Sequence, residues 1–252
     1  MVPHLLALSR DWCPDMIVRD GAEFGGCVAA EALGVPHASV RTTAASGTYT
    51  FRRRFRAALA PLRERCGLPA DDDDAMLFRY LHLACQPPHF IPPGEALAPT
   101  AHVLRPEFPG SRGETLPAWV KTLSGGPTVY ATVGTTVNLM PAGQQTLHAV
   151  LEAMRDEDLN LIVTTGLEID PAQYGSQPAR VHIERFIPQG RLLPHCDLVV
   201  NQGGFSTITG ALNAGLPMVL IPMIADQPLN AACCAKDRKS TRLNSSHTDI
   251  SR

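Results

Sequence analysis

The sequence predicts an α/β protein built on parallel sheets, because short apolar runs alternate with helical patterns along the chain. The runs at 198–200 and 218–221 have the length of buried parallel strands and are bounded by turns. Five strands are expected in the second half of the chain, at 128–133, 161–164, 181–183, 197–200 and 218–221. A doubly wound order would place the first beside the fourth, with a ligand crevice at their carboxyl ends.

Composition narrows the class of protein. The chain has 252 residues, of which 44% are hydrophobic and 18% charged, which suits one or two soluble α/β domains. A net charge of −2 offers no general attraction to nucleic acid, so no nucleic-acid partner is expected. The seven cysteines show neither Cys-x-x-Cys pairs nor zinc spacing, which predicts free thiols and no metal site. With no signal-peptide pattern and no membrane-length apolar run, we expect a cytoplasmic protein without an integral membrane segment.

The first part of the chain contains one β-α-β pattern. Strands are expected at 15–19 and 37–40, on either side of a helix at 24–33 that Gly34 ends. No earlier strands fit before this unit, so a doubly wound domain would be incomplete here.

The region that follows is less regular. Residues 50–66 predict an amphipathic helix, whose arginine-rich side we interpret as a solvated face, with contact to a membrane surface or an acidic acceptor as the alternative. Eight prolines between 86 and 117 predict extended loops and then a linker, ending in a short helix from Leu116.

A glycine turn follows the predicted fourth strand of the second half. Gln202, Gly203 and Gly204 precede a helical pattern that begins with Ser206 and Thr207. Glycines let backbone N–H groups approach an anion closely, and a helix N-terminus adds partial positive charge. The hydroxyls can cap the helix or donate to a phosphate. The alternative is an ordinary βαβ unit in which the glycines only make tight turns.

Two further turns belong to the same expected crevice. Gly134 and Thr135 follow the first strand of the second half, so they would face the Gly203–Gly204 turn and complete a diphosphate cradle. Asp226 and Gln227 follow the last strand and offer a carboxylate and an amide, which suit sugar hydroxyls.

The stretch from Arg185 to Ala232 resembles the nucleotide-sugar-binding signature of family-one glycosyltransferases of the bacterial natural-product type. These GT-B enzymes move a sugar from UDP or dTDP onto a small acceptor. The resemblance rests on residue identity and spacing at Phe186, Pro188, Gln189, His195, Gly203, Gly204, Ser206, Thr207, Gly215, Pro217, Pro222, Asp226, Gln227 and Asn230. It implies two Rossmann-like doubly wound domains, with the N-terminal one incomplete. It also implies transfer, with inversion and without a cofactor, to a hydroxyl of a small, hydrophobic natural product.

The resemblance also implies a role for each donor-site residue. Phe186 stands where the family often has a tryptophan and would stack on the base, and Gln189 would lie near the base and ribose. Gln202 replaces a histidine that commonly contacts a phosphate, and it carries no charge. The transferred sugar's hydroxyls would be held by Asp226 and Gln227. The residues around the diphosphate would be Gly134, Thr135, Gly204, Ser206 and Thr207.

Residues 14–36 resemble the later part of the family's acceptor domain. Asp20 lies 14 residues before Gly34, where the family has a carboxylate that orients the general-base histidine. That histidine belongs to a segment not found in this chain. The alternative is that Asp20 only caps the helix or makes the turn.

The comparison predicts the domain limits. Residues 1–111 would be the C-terminal part of the acceptor domain, 112–126 the linker and 127–236 the donor domain. Residues 237–252 are predicted to be non-native or disordered, because 239–252 resemble translated sequencing-adapter read-through; a natural disordered tail is the alternative. We therefore expect a chain truncated at both ends.

Two other functions are compatible with the sequence. The first is a catalytically inactive fragment that binds nucleotide sugar but lacks the general-base segment. The second is a UDP-sugar epimerase of similar fold, which the spacing from Phe186 to Asn230 disfavours.

Overall fold

A computed structural model describes residues 2–41, 57–71, 75–91, 97–106, 115–123, 125–236 and 240–242. The chain divides into two compact units, Met1–Pro106 and Glu107–Arg252. Each unit contains one sheet whose paired strands are all parallel. Within the described ranges, no helix is long and apolar enough to cross a membrane.

The first unit has a four-stranded sheet of order β1-β2-β3-β4. Its elements are α1 (Val2–Trp12), β1 (Ile17–Asp20), α2 (Gly25–Leu33), β2 (His37–Arg41), α3 (57–65), β3 (Leu81–Cys85) and β4 (Ala101–Leu104), with 3-10 turns at Ala75–Phe78 and Pro88–Phe90. The predicted β-α-β pattern is confirmed by β1, α2 and β2. Gly34 ends α2 with φ 72°, and its N–H group reaches back to the carbonyls of Ala30 and Glu31.

The core of the first unit lies where α1, α2 and α3 meet. Phe24, Cys27 and Val28 of the α2 region are buried together with Val2 and Leu59. Burial raises the pKa of the Cys27 thiol to about 12, so this cysteine is an inert core residue at neutral pH.

Two strands lie in the region that the sequence predicted to be irregular. In β3, residues alternate between buried and half-buried positions, and buried His82 lies with its Nδ1 2.6 Å from the Ser39 hydroxyl of β2. Polar His82 interrupts the apolar run, which hides the strand from a hydrophobicity pattern. β4 is an edge strand with three exposed residues, so it lacks the apolar signal of a buried strand.

The amphipathic helix predicted over 50–66 is described only in part. Residues 57–65 are helical and form α3. Residues 50–56, which include the arginine cluster at 52, 53, 54 and 56, lie outside the described residues.

The second unit has a six-stranded sheet of order β10-β9-β8-β5-β6-β7. Its strands are β5 (Thr128–Thr132), β6 (Asn160–Thr164), β7 (Val181–Glu184), β8 (Leu198–Asn201), β9 (Met218–Leu220) and β10 (Ser240–Arg242). Its helices are α4 (Gly134–Val137), α5 (Pro141–Met154), α6 (Gln189–Leu192), α7 (Phe205–Asn213) and α8 (Gln227–Lys236), with 3-10 turns at Ala118–Thr122, Pro171–Tyr174 and Leu193–His195.

The five strands predicted for this unit are all present. The prediction that the first and fourth of them lie side by side is confirmed. β5 pairs with β8, and Thr132 at the end of β5 lies opposite Asn201. All five residues of β5 and of β6 are buried, as expected for strands covered on both faces by helices. Pro141 occupies the first turn of α5, whose Leu147 and Leu151 pack into the core.

The last described segment is β10, which pairs with β9 at the edge of the sheet. It lies in the stretch 237–252 that the sequence predicts to be non-native or disordered. The other residues of that stretch lie outside the described ranges.

Candidate functional site

A cavity of about 590 Å³ opens at the carboxyl ends of the strands in the second unit. This is the place where parallel α/β sheets bind ligands, and the volume suits a small organic molecule. Its lining comprises Tyr130, Thr132, Gly134, Thr135, Thr136, Val137, Thr164, Gly166, Arg185, Phe186, Ile187, Gln189, Gly190, Gln202, Gly204, Phe205, Ser206, Thr207, Ile224, Ala225, Asp226 and Gln227. Every residue predicted to bind the donor is among them except Gly203.

Gly203 lies behind the cavity and shapes the turn. Its φ is 89°, a conformation that favours glycine. Its N–H group donates to Asn201 Oδ1 at 2.8 Å, and its carbonyl accepts from Asn230 Nδ2 at 2.9 Å. A Cβ at this position would lie 3.0 Å from the Gln227 carbonyl oxygen. Gly203 therefore allows two loops to approach each other, and its N–H group already has an acceptor.

Gln202 fills the space between the two glycine turns. Its Nε2 occupies the place where a Cβ on Gly134 would stand, and it lies 2.7 Å from a Cβ built on Gly204. Gly134 has φ 74°. The turns therefore face each other, as predicted, with the Gln202 side chain as the contact. This side chain is 7% exposed, and its Oε1 has no hydrogen-bond partner within the described residues.

The N-terminus of α7 faces the cavity without a side-chain cap. The helix begins after Gly204, which has no side chain that could cap it. The first backbone hydrogen bond of α7 runs from the Ile208 N–H group to the Gly204 carbonyl oxygen, at 3.0 Å. The N–H groups of Ser206 and Thr207 have no acceptor within the helix, and the same two residues add hydroxyls at this place. This arrangement can bind an anion.

The loop after β9 is held by amide side chains. Gln227 Oε1 accepts from the backbone N–H groups of Met223 and Ile224 at 2.9 and 3.0 Å. Asp226 Oδ2 accepts from Asn230 Nδ2 at 2.8 Å. Since Asn230 also bonds to the Gly203 carbonyl, one fully buried residue connects the Asp226 loop to the glycine turn. Asp226 is thereby fixed with its second oxygen available for a ligand.

The opposite side of the cavity combines an aromatic ring with a buried polar chain. Phe186 is 53% exposed and can stack on a planar ligand. Gln189 Nε2 donates to the Tyr130 hydroxyl at 2.9 Å and lies 3.4 Å from Thr207 Oγ1. The Tyr130 hydroxyl lies 2.7 Å from Thr164 Oγ1. Burial raises the pKa of Tyr130, so its phenol stays neutral and protonated.

Sequence reasoning missed several lining residues. Thr132 and Thr164 end β5 and β6, and Tyr130 points into the same space from β5. Arg185 follows β7 and is the only positively charged side chain in the lining described above, with its Nη2 3.7 Å from Asp170 Oδ1. The positions of Thr132 and Thr164 at strand ends, and of Arg185 just after β7, can be inferred from the sequence, but the direction of each side chain cannot.

Asp20 lies in the first unit, at the end of β1, and is exposed. Its Oδ1 accepts from the Ala22 N–H group at 2.8 Å, which is the turn-making contact. Metal ligands are not clustered in the described parts of the chain: no group of three or more His, Cys, Asp or Glu residues could hold an ion there.

Family models match both parts of the chain. The model for the N-terminal domain of erythromycin biosynthesis protein CIII-like proteins matches residues 1–83. The model for the C-terminal domain of the same proteins matches residues 148–249.

Curated relatives match most of the chain. The 4'-demethylrebeccamycin synthase of Lentzea aerocolonigenes is 30% identical over 259 residues, covering 86% of this chain and 59% of the relative. The NDP-glycosyltransferase YjiC of Bacillus licheniformis is 27% identical over 240 residues, covering 92% and 60%. This chain thus spans about 60% of the length of these relatives.

Solved structures agree in fold. The glycosyltransferase VinC in complex with dTDP superposes with a TM-score of 0.75 at 25% identity, covering 97% of this chain and 63% of that one. The parallel sheets of both units match the GT-B architecture of such enzymes. From its domain models, relatives and fold, the chain belongs to the family-one, UDP-glycosyltransferase-like enzymes of bacterial natural-product type.

Proposed function

We propose that the second unit binds a UDP- or dTDP-sugar in its cavity, and that the protein transfers the sugar, with inversion, to a hydroxyl of a small, hydrophobic natural product. The observation that carries this proposal is the convergence of an uncapped helix N-terminus, an exposed aromatic ring and a fixed carboxylate in one cavity. These groups match the diphosphate, the base and the sugar of one ligand. The dTDP complex of VinC supports the choice of nucleotide.

Within the cavity, each predicted residue would contact one part of the donor. Phe186 would stack on the pyrimidine, with Gln189 beside the ribose. The diphosphate would lie against Gly134, Gly204 and the start of α7. Asp226 would accept hydrogen bonds from sugar hydroxyls, and the Gln227 amide nitrogen would donate to them, because the Gln227 oxygen is already engaged in the loop.

The reaction would be an in-line displacement at the anomeric carbon. The acceptor oxygen forms the new bond to that carbon while the bond to the diphosphate oxygen breaks, and the nucleoside diphosphate leaves with the electron pair. A base takes the proton from the acceptor hydroxyl. Charge that develops on the leaving diphosphate is stabilised by the N–H groups and dipole at the start of α7, and no metal ion is required for this. Gln202 can donate an N–H but adds no charge.

The alternative is that this chain binds nucleotide sugar without turning it over. The contact of Asp20 with the Ala22 N–H group favours this reading, because it assigns the carboxylate to the turn. Under the first proposal, Asp20 would also orient a general-base histidine, which the family resemblance assigns to a segment not found in this chain.

A turnover assay distinguishes the two. The chain is incubated with labelled UDP-glucose or dTDP-glucose and a panel of phenolic and macrolide aglycones. Release of the nucleoside diphosphate together with a new glycoside supports transfer, and NMR of the anomeric proton tests inversion. Asp226→Asn should raise KM for the sugar nucleotide, whereas Asp156→Ala, at an exposed carboxylate outside the cavity, should not. Binding without any glycoside from the panel supports the alternative.

A further inference from the structure

Four polar side chains form a continuous chain under the cavity. The Thr164 hydroxyl lies 2.7 Å from the Tyr130 hydroxyl, which accepts from Gln189 Nε2 at 2.9 Å. The same Nε2 lies 3.4 Å from Thr207 Oγ1. All four side chains line the cavity, and Tyr130 is 1% exposed. The chain thus connects the Gln189 side of the cavity with the first turn of α7.

The direction of these hydrogen bonds follows from the atoms available. The Gln189 amide nitrogen carries two N–H groups and lies within hydrogen-bonding distance of two oxygens, those of the Tyr130 and Thr207 hydroxyls. Since the Tyr130 oxygen accepts from Gln189, its own proton can go to Thr164. Because burial keeps the phenol protonated, Tyr130 retains this donor at neutral pH.

Two groups are left to face a ligand. Gln189 can offer only its carbonyl oxygen, which accepts hydrogen bonds. Thr207 receives a hydrogen bond at its oxygen, so its hydroxyl proton is free to be donated. The first suits ribose hydroxyls or a base N–H, and the second suits a phosphate oxygen.

We propose that the Tyr130 hydroxyl is a positioning group, which fixes the Gln189 amide so that an acceptor faces the nucleoside while the Thr207 hydroxyl remains a donor for the diphosphate. This assignment rests on the proposed nucleotide-sugar function. Without the phenol oxygen, the Gln189 amide nitrogen loses one of its acceptors and the amide can rotate. The Gln189 carbonyl oxygen then no longer faces the ligand as an acceptor, and the Thr207 hydroxyl is no longer kept as a donor.

Tyr130→Phe removes the hydroxyl and leaves the ring. We expect it to weaken UDP binding roughly three- to tenfold, the range for one buried hydrogen bond. Thr164→Val, which removes the second partner of the phenol, should act in the same direction. If Tyr130→Phe does not unfold cooperatively, Thr164→Val replaces it in the binding measurement. Tyr174→Phe is the matched control, because it removes the hydroxyl of a buried tyrosine that lies outside the lining of the cavity.

The decisive measurement is a double-mutant cycle with Gln189→Ala, with UDP affinity measured by calorimetry on the full chain. If Tyr130 acts through Gln189, Tyr130→Phe should cost nothing further once Gln189 is alanine. Equal losses in both backgrounds would indicate a merely structural tyrosine and overturn the assignment, as would unchanged affinity in Tyr130→Phe alone. Failure of the folded wild-type chain to bind UDP or dTDP would instead overturn the proposed function, and this assignment with it.

Discussion

Replacing Gly134 by alanine tests the packing of the two glycine turns. At this residue φ is 74°, and an added Cβ would meet the buried Gln202 side chain. The left-handed conformation costs an L-residue about 1–2 kcal/mol. The Gln202 side chain would have to move within the cavity that it lines, and overpacking of this kind adds about 1–3 kcal/mol. We expect Gly134→Ala to reduce the free energy of unfolding by about 2–5 kcal/mol in total.

Gly215 provides a matched control, because it has φ 70° and nothing within 4 Å of an added Cβ. Gly215→Ala should show the conformational cost alone, about 1–2 kcal/mol. Urea denaturation followed by circular dichroism gives both values, and UDP titration shows whether the displaced Gln202 also disturbs the site. Equal losses of stability in the two variants, within about 0.5 kcal/mol, would show that the Gln202 side chain does not resist an added Cβ at residue 134.

Three further predictions concern single residues. Asn230→Ala should lower the free energy of unfolding by about 3 kcal/mol, because two buried hydrogen bonds are lost, one to the Asp226 carboxylate and one to the Gly203 carbonyl. A loss below about 1 kcal/mol in urea denaturation would contradict this. Burial lowers the pKa of His37 from 6.5 to about 4, so between these pH values the unfolded chain binds a proton that the folded chain does not. Stability should therefore fall by up to about 3 kcal/mol as pH drops from 6.5 to 4. The urea midpoint should depend less strongly on pH in His37→Gln than in the wild-type chain. In a variant of exposed His102, its dependence on pH should be the same as in the wild-type chain. UDP-glucose affinity should be constant from about pH 5.5 to 8, since the described residues that line the cavity include no histidine. Gln202→His should bind UDP-glucose more tightly as its imidazole protonates near pH 6.5. An unchanged pH profile in that variant would show that residue 202 does not reach the phosphates.

The sheet of the second unit was predictable because its strands are buried on both faces. β5, β6 and β8 are short apolar runs bounded by turns, and their alternation with helices specifies the parallel order. β3 and β4 were not predicted, since His82 interrupts one and the other is an exposed edge strand. Pairing with a neighbouring strand, rather than a local pattern, defines such strands.

The sequence predicts which residues line the candidate site better than it predicts the contacts that these residues make. Glycines and polar residues after strands indicate a crevice, whichever way their side chains point. No local pattern indicates that the Gly203 N–H group donates to Asn201, or that Ala225 adopts a φ of 54° in the cavity lining. The inward direction of Tyr130 was equally hidden, because its position in an apolar strand suggests a core residue. Such features depend on side-chain packing between segments distant in sequence.

Calorimetric titration of the full chain with UDP, dTDP and their glucose conjugates tests the nucleotide-sugar site most directly. We expect one site per chain for at least one of these nucleotides. Binding should be weaker by roughly tenfold or more in Gly204→Val, whose added Cβ would lie 2.7 Å from Gln202 Nε2. The absence of binding by a chain that unfolds cooperatively would contradict the assignment of the cavity as a nucleotide-sugar site.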